Sequence, residues 1–154
     1  MQITKQRIEV YRFMKESDSW ETPQWLFDEL NYEFHFNVDM CATQSNKKVA
    51  TIPKDALKLT RRPTCGFKYF MNPPYSNPQP FIEVAWELSI ENTVVCLVKC
   101  DPSTKWWSIF YDFEKQQPKP GCVIRYINKR LKFEKKGVPG STAPFPSAIL
   151  IFDR

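Results

Sequence analysis

Residues 67–75, FKYFMNPPY, carry the clearest structural signal in the sequence. Residues 67–71 have the aromatic and apolar composition of a β-strand, and the prolines that follow end strand pairing because proline has no backbone N–H to donate. Pro80 then suits the first turn of a helix, and apolar residues recur at helical spacing over residues 81–88. The tetrapeptide NPPY, residues 72–75, is therefore predicted to lie on a loop between a strand and a helix.

Two further segments predict strands beside this one. Residues 93–98 (TVVCLV) form an apolar, β-branched run, which is typical of a strand buried on both faces of a sheet. Residues 34–40 (FHFNVDM) alternate apolar and polar side chains with the period of a strand. His35 then lies on the polar face of that strand, and Asp39 falls at its carboxyl-terminal end.

Helices are predicted between these strands, and strands dominate after them. Thr22 and Pro23 offer an N-cap and a first helical residue. Ser103 offers a cap for a helix in which Trp106 and Trp107 are either packing residues or base contacts, and packing is favoured. Further strands are predicted at residues 122–127, 131–133 and 148–152. The alternation of strands and helices favours the α/β class, with one open, mostly parallel sheet flanked by helices.

Length and composition fit one domain. A chain of 154 residues with 42% hydrophobic content buries one ordinary core, so we expect a domain over residues 20–154 preceded by an extension over residues 1–19, either helical or loosely attached. The sequence has no long apolar run and no secretory leader, which favours a soluble, cytoplasmic protein.

Five cysteines without a CxxC pair, and one histidine, predict neither disulfides nor a metal site. Cys96 and Cys100 are expected to act as small buried hydrophobes.

Positive charge is concentrated in two segments of the chain. The formal net charge is +5, yet residues 47–68 hold seven Lys or Arg against one acid and residues 115–136 hold eight against one. Such segments are either solvated faces or a surface that binds a polyanion. Their strong localisation favours a surface that binds nucleic-acid phosphates.

The strand ends carry the residues that resemble a known family. In open α/β sheets ligands bind beyond the carboxyl ends of the strands, where Asp39 and residues 72–75 fall. Here the sequence resembles the DNA amino-methyltransferases, whose tetrapeptide is (D/N/S)PP(Y/F), and more closely the small phage-type adenine-N6 methyltransferases, the phage Dam family. The resemblance covers roughly residues 18–153. The matching pieces are Trp20-Glu21-Thr22-Pro23, Asp39 with Ala42, Asp55-Ala56-Leu57, Asn72-Pro73-Pro74-Tyr75-Ser76, Trp106-Trp107, Arg130-Leu131-Lys132-Phe133 and Pro144-Phe145-Pro146-Ser147.

The resemblance implies a shortened, single-domain, Rossmann-like methyltransferase that uses S-adenosylmethionine and acts on a flipped adenine of double-stranded DNA. It implies that residues 72–75 are catalytic, and that Asp39 lies near the methionine or ribose portion of the cofactor and Asp55 near its adenine. The full set of implied cofactor residues is Trp20, Thr22, Pro23, Asp39, Ala42 and Asp55. Residues 40–43 (MCAT) stand where most methyltransferases have a glycine-rich loop.

The chemistry of an adenine amine explains why the tetrapeptide suits it. The amine is a poor nucleophile because its lone pair is delocalised into the ring, so a site must draw that pair toward the methyl donor. The Asn72 side-chain oxygen and the Pro73 carbonyl can each accept one N6–H bond, and the Pro73-Pro74 pair stiffens the loop. The Tyr75 ring offers a face for a base taken out of the stack. This chemistry requires no general base and no metal.

DNA contacts are predicted near the second basic segment. If residues 130–133 form a strand, Arg130 and Lys132 share one face with their charges toward phosphates, with Lys129 beside them, while Leu131 and Phe133 occupy the other face. Phe145 is either a second aromatic wall for the base or an anchor for its loop.

Two alternatives stay open at this point. NPPY also suits methyltransferases acting on RNA amines or on protein glutamine amides, because each of these substrates presents a planar, delocalised NH₂ group. A non-enzymatic nucleic-acid-binding module that kept the scaffold is the alternative from another class. The flanking motifs and the second basic segment favour DNA adenine as the substrate.

Overall fold

A computed structural model describes residues 20–60 and 64–154 of the chain. The predictions for residues 1–19, and Arg61 and Arg62 of the first basic segment, lie outside the described residues. The described part contains two α-helices, α1 (Gln24–Phe34) and α2 (Gln79–Leu88), and two 3-10 helices, Ala56–Lys58 and Lys105–Ile109. Its strands are β1 (Val38–Asp39), β2 (Lys68–Met71), β3 (Thr93–Lys99), β4 (Tyr111–Asp112), β5 (Gln117–Pro118), β6 (Cys122–Tyr126), β7 (Glu134–Lys135), β8 (Val138–Pro139) and β9 (Ser147–Phe152). Within these residues, neither α-helix has the length and apolar character needed to cross a bilayer.

Five strands form one mixed sheet in the order β1-β2-β3-β9-β6. β1, β2 and β3 are parallel neighbours, with Asp39 opposite Phe70 and Phe70 opposite Val95. β9 runs antiparallel between β3 and β6, because residues 127–146 contain no crossover helix that would return the chain in the parallel sense. The predicted α/β character is confirmed, but half of the strand pairings are antiparallel, so the sheet is mixed rather than mostly parallel. Two small hairpins, β4-β5 and β7-β8, stand apart from it.

The two α-helices cover opposite faces of this sheet. Side chains alternate between the two faces along each strand, so neighbouring residues of β2 meet different helices. α1 packs on the face that carries Phe70, where the rings of Phe27 and Phe70 meet edge to face at 5.2 Å. α2 packs on the face that carries Tyr69 and Met71, with Phe81 among its buried residues. β3 is buried between these layers, as the sequence predicts, and Cys96 lies in this core while Cys100 is half-buried.

The first helix and the first strand differ from the prediction. α1 begins at Gln24, and its first N–H is capped by the Glu134 carboxylate at 3.1 Å rather than by the hydroxyl of Thr22. His35 ends the helix in the left-handed conformation (φ 55°), so it is a helix cap and not the polar face of a strand. The Phe36 N–H donates to Asn31 Oδ1 at 2.9 Å. Because this turn occupies the amino-terminal part of the predicted strand, only Val38–Asp39 pair with β2.

Residues 131–133 are also not a regular strand. The carbonyl oxygen of Leu131 accepts a bond of 2.8 Å from the N–H of Ala143, and that of Phe133 accepts one of 2.8 Å from the N–H of Gly140. The segment 140–143 has one residue more between these bonds than the segment 131–133. This extra residue interrupts the ladder that continues into the β7-β8 hairpin. The predicted alternation of burial nevertheless holds, because Leu131 and Phe133 are buried and Arg130 and Lys132 are exposed.

The segment after β3 forms a shorter helix than expected. Thr104, not Ser103, precedes the 3-10 helix Lys105–Ile109. Trp106 and Trp107 are 7% and 1% exposed and pack in the core, so their predicted packing role is confirmed.

Candidate active site

The NPPY tetrapeptide follows β2 at the carboxyl edge of the three parallel strands. β1 ends beside it at Asp39, and β3 ends at Lys99. Pro73 and Pro74 are buried, and the Pro74 carbonyl accepts the N–H of Asn77 at 3.3 Å just before α2 begins. The predicted strand-to-helix loop is confirmed, and it lies where open α/β sheets bind ligands.

Asn72 is held from one side by Thr22. Its Nδ2 donates to Thr22 Oγ1 at 3.2 Å, and Thr22 is only 2% exposed. Asn72 itself is half-buried. Because Nδ2 is engaged, the end of the amide that remains to meet a ligand is Oδ1, which can only accept hydrogen bonds.

A cavity of about 420 Å³ has Asn72 and Pro73 in its wall, together with the rings of Tyr75, Phe133 and Phe145. We call it the aromatic cavity. The Tyr75 ring meets the other two edge to face, with centroids 5.9 Å from Phe133 and 5.5 Å from Phe145. This volume is typical of small-molecule pockets, and the rings suit a flat, apolar-faced group such as a nucleobase.

The Tyr75 hydroxyl does not take part in this wall. Its oxygen is buried and has no hydrogen-bond partner within residues 20–60 and 64–154. Burial raises the pKa of the Tyr75 hydroxyl well above its usual range. The ring rather than the hydroxyl therefore lines the aromatic cavity.

A second cavity, of about 30 Å³, also has Asn72 and Trp20 in its wall, and it contains Asp39. We call it the carboxylate cavity. Asp39 is 4% exposed and accepts a bond of 2.8 Å from the N–H of Lys48. Burial raises the pKa of the Asp39 carboxyl to about 6, and the bond from Lys48 offsets this only in part. A further cavity of about 430 Å³ shares Glu21, Asn46 and Lys48 with it and extends the available space.

The structure brings together four of the six residues predicted around a cofactor. Trp20, Thr22, Asp39 and Ala42 all line the carboxylate cavity. Pro23 and Asp55 do not. Pro23 precedes α1, and the Asp55 carboxylate accepts the N–H of Leu57 at 3.0 Å, which caps the 3-10 helix Ala56–Lys58.

The second basic segment divides into structural and exposed cations. Arg125 forms a bidentate ion pair with Glu33 at 2.6 Å, which ties β6 to α1, and Lys119 donates to two backbone carbonyls. The Lys129 ammonium lies 4.3 Å from the centroid of the Trp25 ring. Arg130 and Lys132 are exposed, as the prediction of a DNA contact requires.

Three features of the site escaped the sequence reasoning. Phe133, which was expected on a buried face, lines the aromatic cavity, and so do residues 141–144. Lys99 lies at its rim, with its ammonium 5.6 Å from the centroid of the Phe145 ring. The one sequence signal for Lys99 is its position as the first charged residue after the apolar run of β3. In the described part of the chain, no cluster of three His, Cys, Asp or Glu side chains is placed to hold a metal ion.

Comparisons with known proteins agree with this geometry. The mixed α/β fold, with the NPPY tetrapeptide at the carboxyl edge of its parallel strands, is consistent with the amino-methyltransferase class that the tetrapeptide resembles. Residues 12–154 match the family model described as DNA N-6-adenine-methyltransferase (Dam). The chain is also 33% identical over 122 residues to the DNA N-6-adenine-methyltransferase of Haemophilus phage HP1 (strain HP1c1), an alignment that covers 77% of this chain and 67% of that protein. The chain therefore belongs to the DNA N-6-adenine-methyltransferase (Dam) family.

Proposed function

We propose that this protein transfers a methyl group from S-adenosylmethionine to the exocyclic N6 amine of an adenine flipped out of double-stranded DNA. One observation carries the proposal beyond family membership: Asn72 stands in the walls of both the aromatic cavity and the carboxylate cavity. A methyl transfer needs its donor and its acceptor to meet at one point. Asn72 marks that point.

Asn72 and Pro73 act on the target amine. Asn72 Oδ1 accepts one N6–H bond and the Pro73 carbonyl accepts the other, which holds the nitrogen close to tetrahedral geometry as its lone pair turns toward the methyl group. These acceptors act most strongly where charge develops, so they lower the barrier more than they strengthen substrate binding.

The aromatic cavity receives the flipped base. Taking a base out of the duplex costs a few kcal/mol, and stacking on aromatic rings repays about 1–3 kcal/mol per base. Tyr75 and Phe145 lie 5.5 Å apart in the same wall, which supports the role of Phe145 as a second aromatic surface rather than a mere loop anchor. Lys99 at the rim offers a cation to the phosphate of the flipped nucleotide.

The carboxylate cavity suits the methyl donor. S-Adenosylmethionine supplies an electrophilic methyl group on a sulfonium, and its ammonium and ribose hydroxyls are hydrogen-bond donors. The buried Asp39 carboxylate accepts a bond from the N–H of Lys48, and its raised pKa reflects a charge that burial leaves poorly compensated. A ligand rich in donors therefore fits this site, with Trp20, Thr22 and Ala42 beside it.

The remaining predictions complete the proposal. Residues 20–154 form a shortened Rossmann-like methyltransferase domain, which the three parallel strands with their ligand-side carboxyl edge support. Lys129, Arg130 and Lys132 contact DNA phosphates. We expect the protein to act in the cytoplasm, where its DNA substrate is found, as a site-specific methyltransferase for adenine. The family description names DNA and N-6-adenine, and neither RNA nor a glutamine amide is favoured by any contact of the site.

Product identification tests this proposal. The protein is incubated with S-adenosylmethionine labelled in its methyl group, together with double-stranded DNA, RNA or a protein extract, and the labelled nucleoside or residue is identified. We expect N6-methyldeoxyadenosine, formed about 100-fold more slowly or less by the Asn72→Ala protein. Label in RNA or in glutamine would overturn the choice of substrate, and DNA binding without cofactor binding would point to the non-enzymatic module.

A further inference from the structure

The proposed function accounts for the amine of the target adenine but not for its ring nitrogens. Asn72 and Pro73 accept the two N6–H bonds, and aromatic rings face the base. Adenine also carries N1 and N7, one on each side of the amine, and both are hydrogen-bond acceptors. A flipped base loses the partners that bonded these atoms, so a wall without donors would leave them unsatisfied and would oppose binding.

Two hydroxyl-bearing residues line the aromatic cavity from the segment that closes it. Ser141 and Thr142 are adjacent in the sequence, exposed, and part of the wall. Adjacent residues of a regular strand point to opposite faces, so a regular strand would present only one of them to the cavity. Both line the wall because the segment departs from a regular strand at this point.

The pairing of this segment explains the departure. Its ends, Gly140 and Ala143, are held by the two backbone bonds of 2.8 Å to the segment 131–133. Between these bonds Ser141 and Thr142 face a single residue of the opposite segment. An extra residue of this kind re-aims side chains and is frequent beside active sites.

Close packing at Gly140 fixes where the segment enters the wall. A Cβ atom on Gly140 would lie 2.5 Å from Cζ3 of Trp20 and 3.2 Å from the carbonyl oxygen of Phe133, closer than such atoms normally approach. The missing side chain therefore lets the backbone before Ser141 run directly against the Trp20 ring, which lines the same cavity. Ser141 and Thr142 are thus placed by contacts on both sides of the segment.

The other polar side chains of the wall have different surroundings. The Lys99 ammonium lies over the Phe145 ring at the rim, where the proposed function assigns it to a phosphate. The Tyr75 hydroxyl is buried and does not take part in the wall. Ser76 already takes part in an interaction within the protein. The donors best placed for the ring nitrogens are therefore those of Ser141 and Thr142.

We propose that the hydroxyls of Ser141 and Thr142 donate hydrogen bonds to N1 and N7 of the target adenine and so select it over cytosine. The inference rests on the proposed function and names the groups that read the base. A hydroxyl can donate or accept, but N1 and N7 only accept, so the base sets the direction of each bond. Cytosine has a ring acceptor on one side of its amine and a C–H on the other, so it can fill only one of the two bonds.

Substrate analogues that lack one ring nitrogen test each bond separately. Duplexes carry adenine, 7-deazaadenine or 1-deazaadenine at the methylated position, and the proteins are wild type, Ser141→Ala and Thr142→Val. On adenine, each substitution should lower kcat/KM about 2- to 10-fold, which corresponds to one hydrogen bond. On the analogue that lacks the nitrogen bonded by that residue, the same substitution should cost nothing further. The effect of a missing nitrogen on the amine itself is the same for every protein, so it cancels in this comparison.

Two controls accompany the comparison. The Kd for S-adenosylmethionine should stay unchanged in both variants, because within the described part of the chain neither residue lines the carboxylate cavity. Ser108→Ala removes an exposed hydroxyl outside both cavity walls and should match wild type on all three duplexes. If Thr142→Val does not fold, as judged by its thermal transition, Thr142→Ala takes its place.

The outcomes separate this inference from the proposed function. If each substitution costs the same on adenine and on both analogues, its effect comes from the shape of the segment and the inference is overturned, while N6-methyldeoxyadenosine formed by the wild type leaves the proposed function standing. Coupling at one nitrogen only would overturn the bond assigned to the other residue. A wild-type protein that methylates no DNA would overturn the proposed function, and this inference with it.

Discussion

The two cavities that meet at Asn72 are built from opposite materials. The aromatic cavity is made of the rings of Tyr75, Phe133 and Phe145, which pack against one another and need no ligand to be stable. The carboxylate cavity is built around Asp39, whose buried carboxylate accepts a bond from the N–H of Lys48. The first is preformed by apolar contacts, and the second is destabilised until a ligand supplies hydrogen bonds. Function at the second cavity should therefore cost stability, and function at the first should not.

The cavities also come from different parts of the chain. Residues 20–48, which include β1, build most of the carboxylate cavity. Residues 133–145 close the aromatic cavity. Among the described residues, Asn72 and Trp20 are the two that belong to both walls. Substitutions can therefore affect one cavity, the other cavity or the wall that they share.

The largest effect is expected at the shared wall. Asn72→Ala removes an acceptor that acts mainly in the transition state, so kcat should fall about 100-fold or more while the affinities of both cavities for their ligands stay nearly the same. Steady-state kinetics and calorimetry measure these quantities, and Asn77→Ala in the same loop is the matched control. A loss below about tenfold in kcat would show that Asn72 lacks the assigned role.

Asp39→Asn should separate function from stability. The variant keeps an acceptor for the Lys48 N–H and removes the buried charge, so it should lose S-adenosylmethionine binding and yet be more stable. Because the pKa of Asp39 is raised to about 6, the wild type loses free energy of unfolding as the pH rises from about 4 to about 6. The variant should therefore exceed wild type by on the order of 2–3 kcal/mol at about pH 8 and match it near pH 4.

Chemical unfolding at the two pH values and calorimetry with S-adenosylmethionine check both halves of this prediction. Wild-type affinity for the cofactor should also fall as the pH drops through about 6, where the Asp39 carboxylate takes up a proton. The exposed Asp28, replaced by Asn, is the control and should alter neither quantity. A folded Asp39→Asn protein that binds S-adenosylmethionine normally would remove Asp39 from the site.

Tyr75 tests the aromatic cavity. Tyr75→Ala should lower kcat/KM for DNA by about 5- to 100-fold, since a stacking surface worth roughly 1–3 kcal/mol is lost. Tyr75→Phe should keep near-normal activity and an equal or higher melting temperature, because the buried hydroxyl has no partner among the described residues. Equal damage from the two substitutions would show that the hydroxyl matters and that the stacking account is wrong.

The parts of the site that could be predicted from the sequence are those set by local patterns. The loop at residues 72–75 follows from a strand that runs into two prolines, and the strand-end position of Asp39 follows from its neighbours in β1. The packing of Trp106 and Trp107 was likewise predicted, from their place on the helix expected after β3. In each case the residues that decide the structure lie within a few positions of one another.

The parts that could not be predicted depend on contacts between distant segments. The cap on α1 comes from Glu134, 110 residues away, so no pattern around Thr22 could reveal that its hydroxyl is free to hold Asn72. Phe133 joins the aromatic cavity because an irregular pairing with residues 140–143 turns it there, and the sequence predicted a regular strand. The resemblance implies a place for Asp55 around the cofactor. In the structure the Asp55 carboxylate caps a 3-10 helix, and Asp55 lines neither cavity.

The smallest effect per residue is expected outside both cavities, at Lys129, Arg130 and Lys132. Phosphate contacts release condensed counterions, so replacing all three by Ala should weaken binding to every DNA sequence about equally and flatten the log–log salt dependence by up to about one unit per lost contact. The Lys129 side chain lies over the Trp25 ring, so its share should be the smallest. Turnover at saturating DNA should stay unchanged, because neither cavity is touched.

The measurement is DNA affinity across salt concentrations, with a duplex that contains a methylation site and a scrambled duplex. Lys105, exposed and outside both basic segments, gives the control, and its replacement by Ala is compared with each of the three single variants. If all four single variants change the salt slope equally, the effect comes from net charge and the segment at 129–132 is a solvated face. If binding to the methylation site alone is lost, these cations read bases rather than phosphates, and specificity arises in the same C-terminal part of the chain that closes the aromatic cavity.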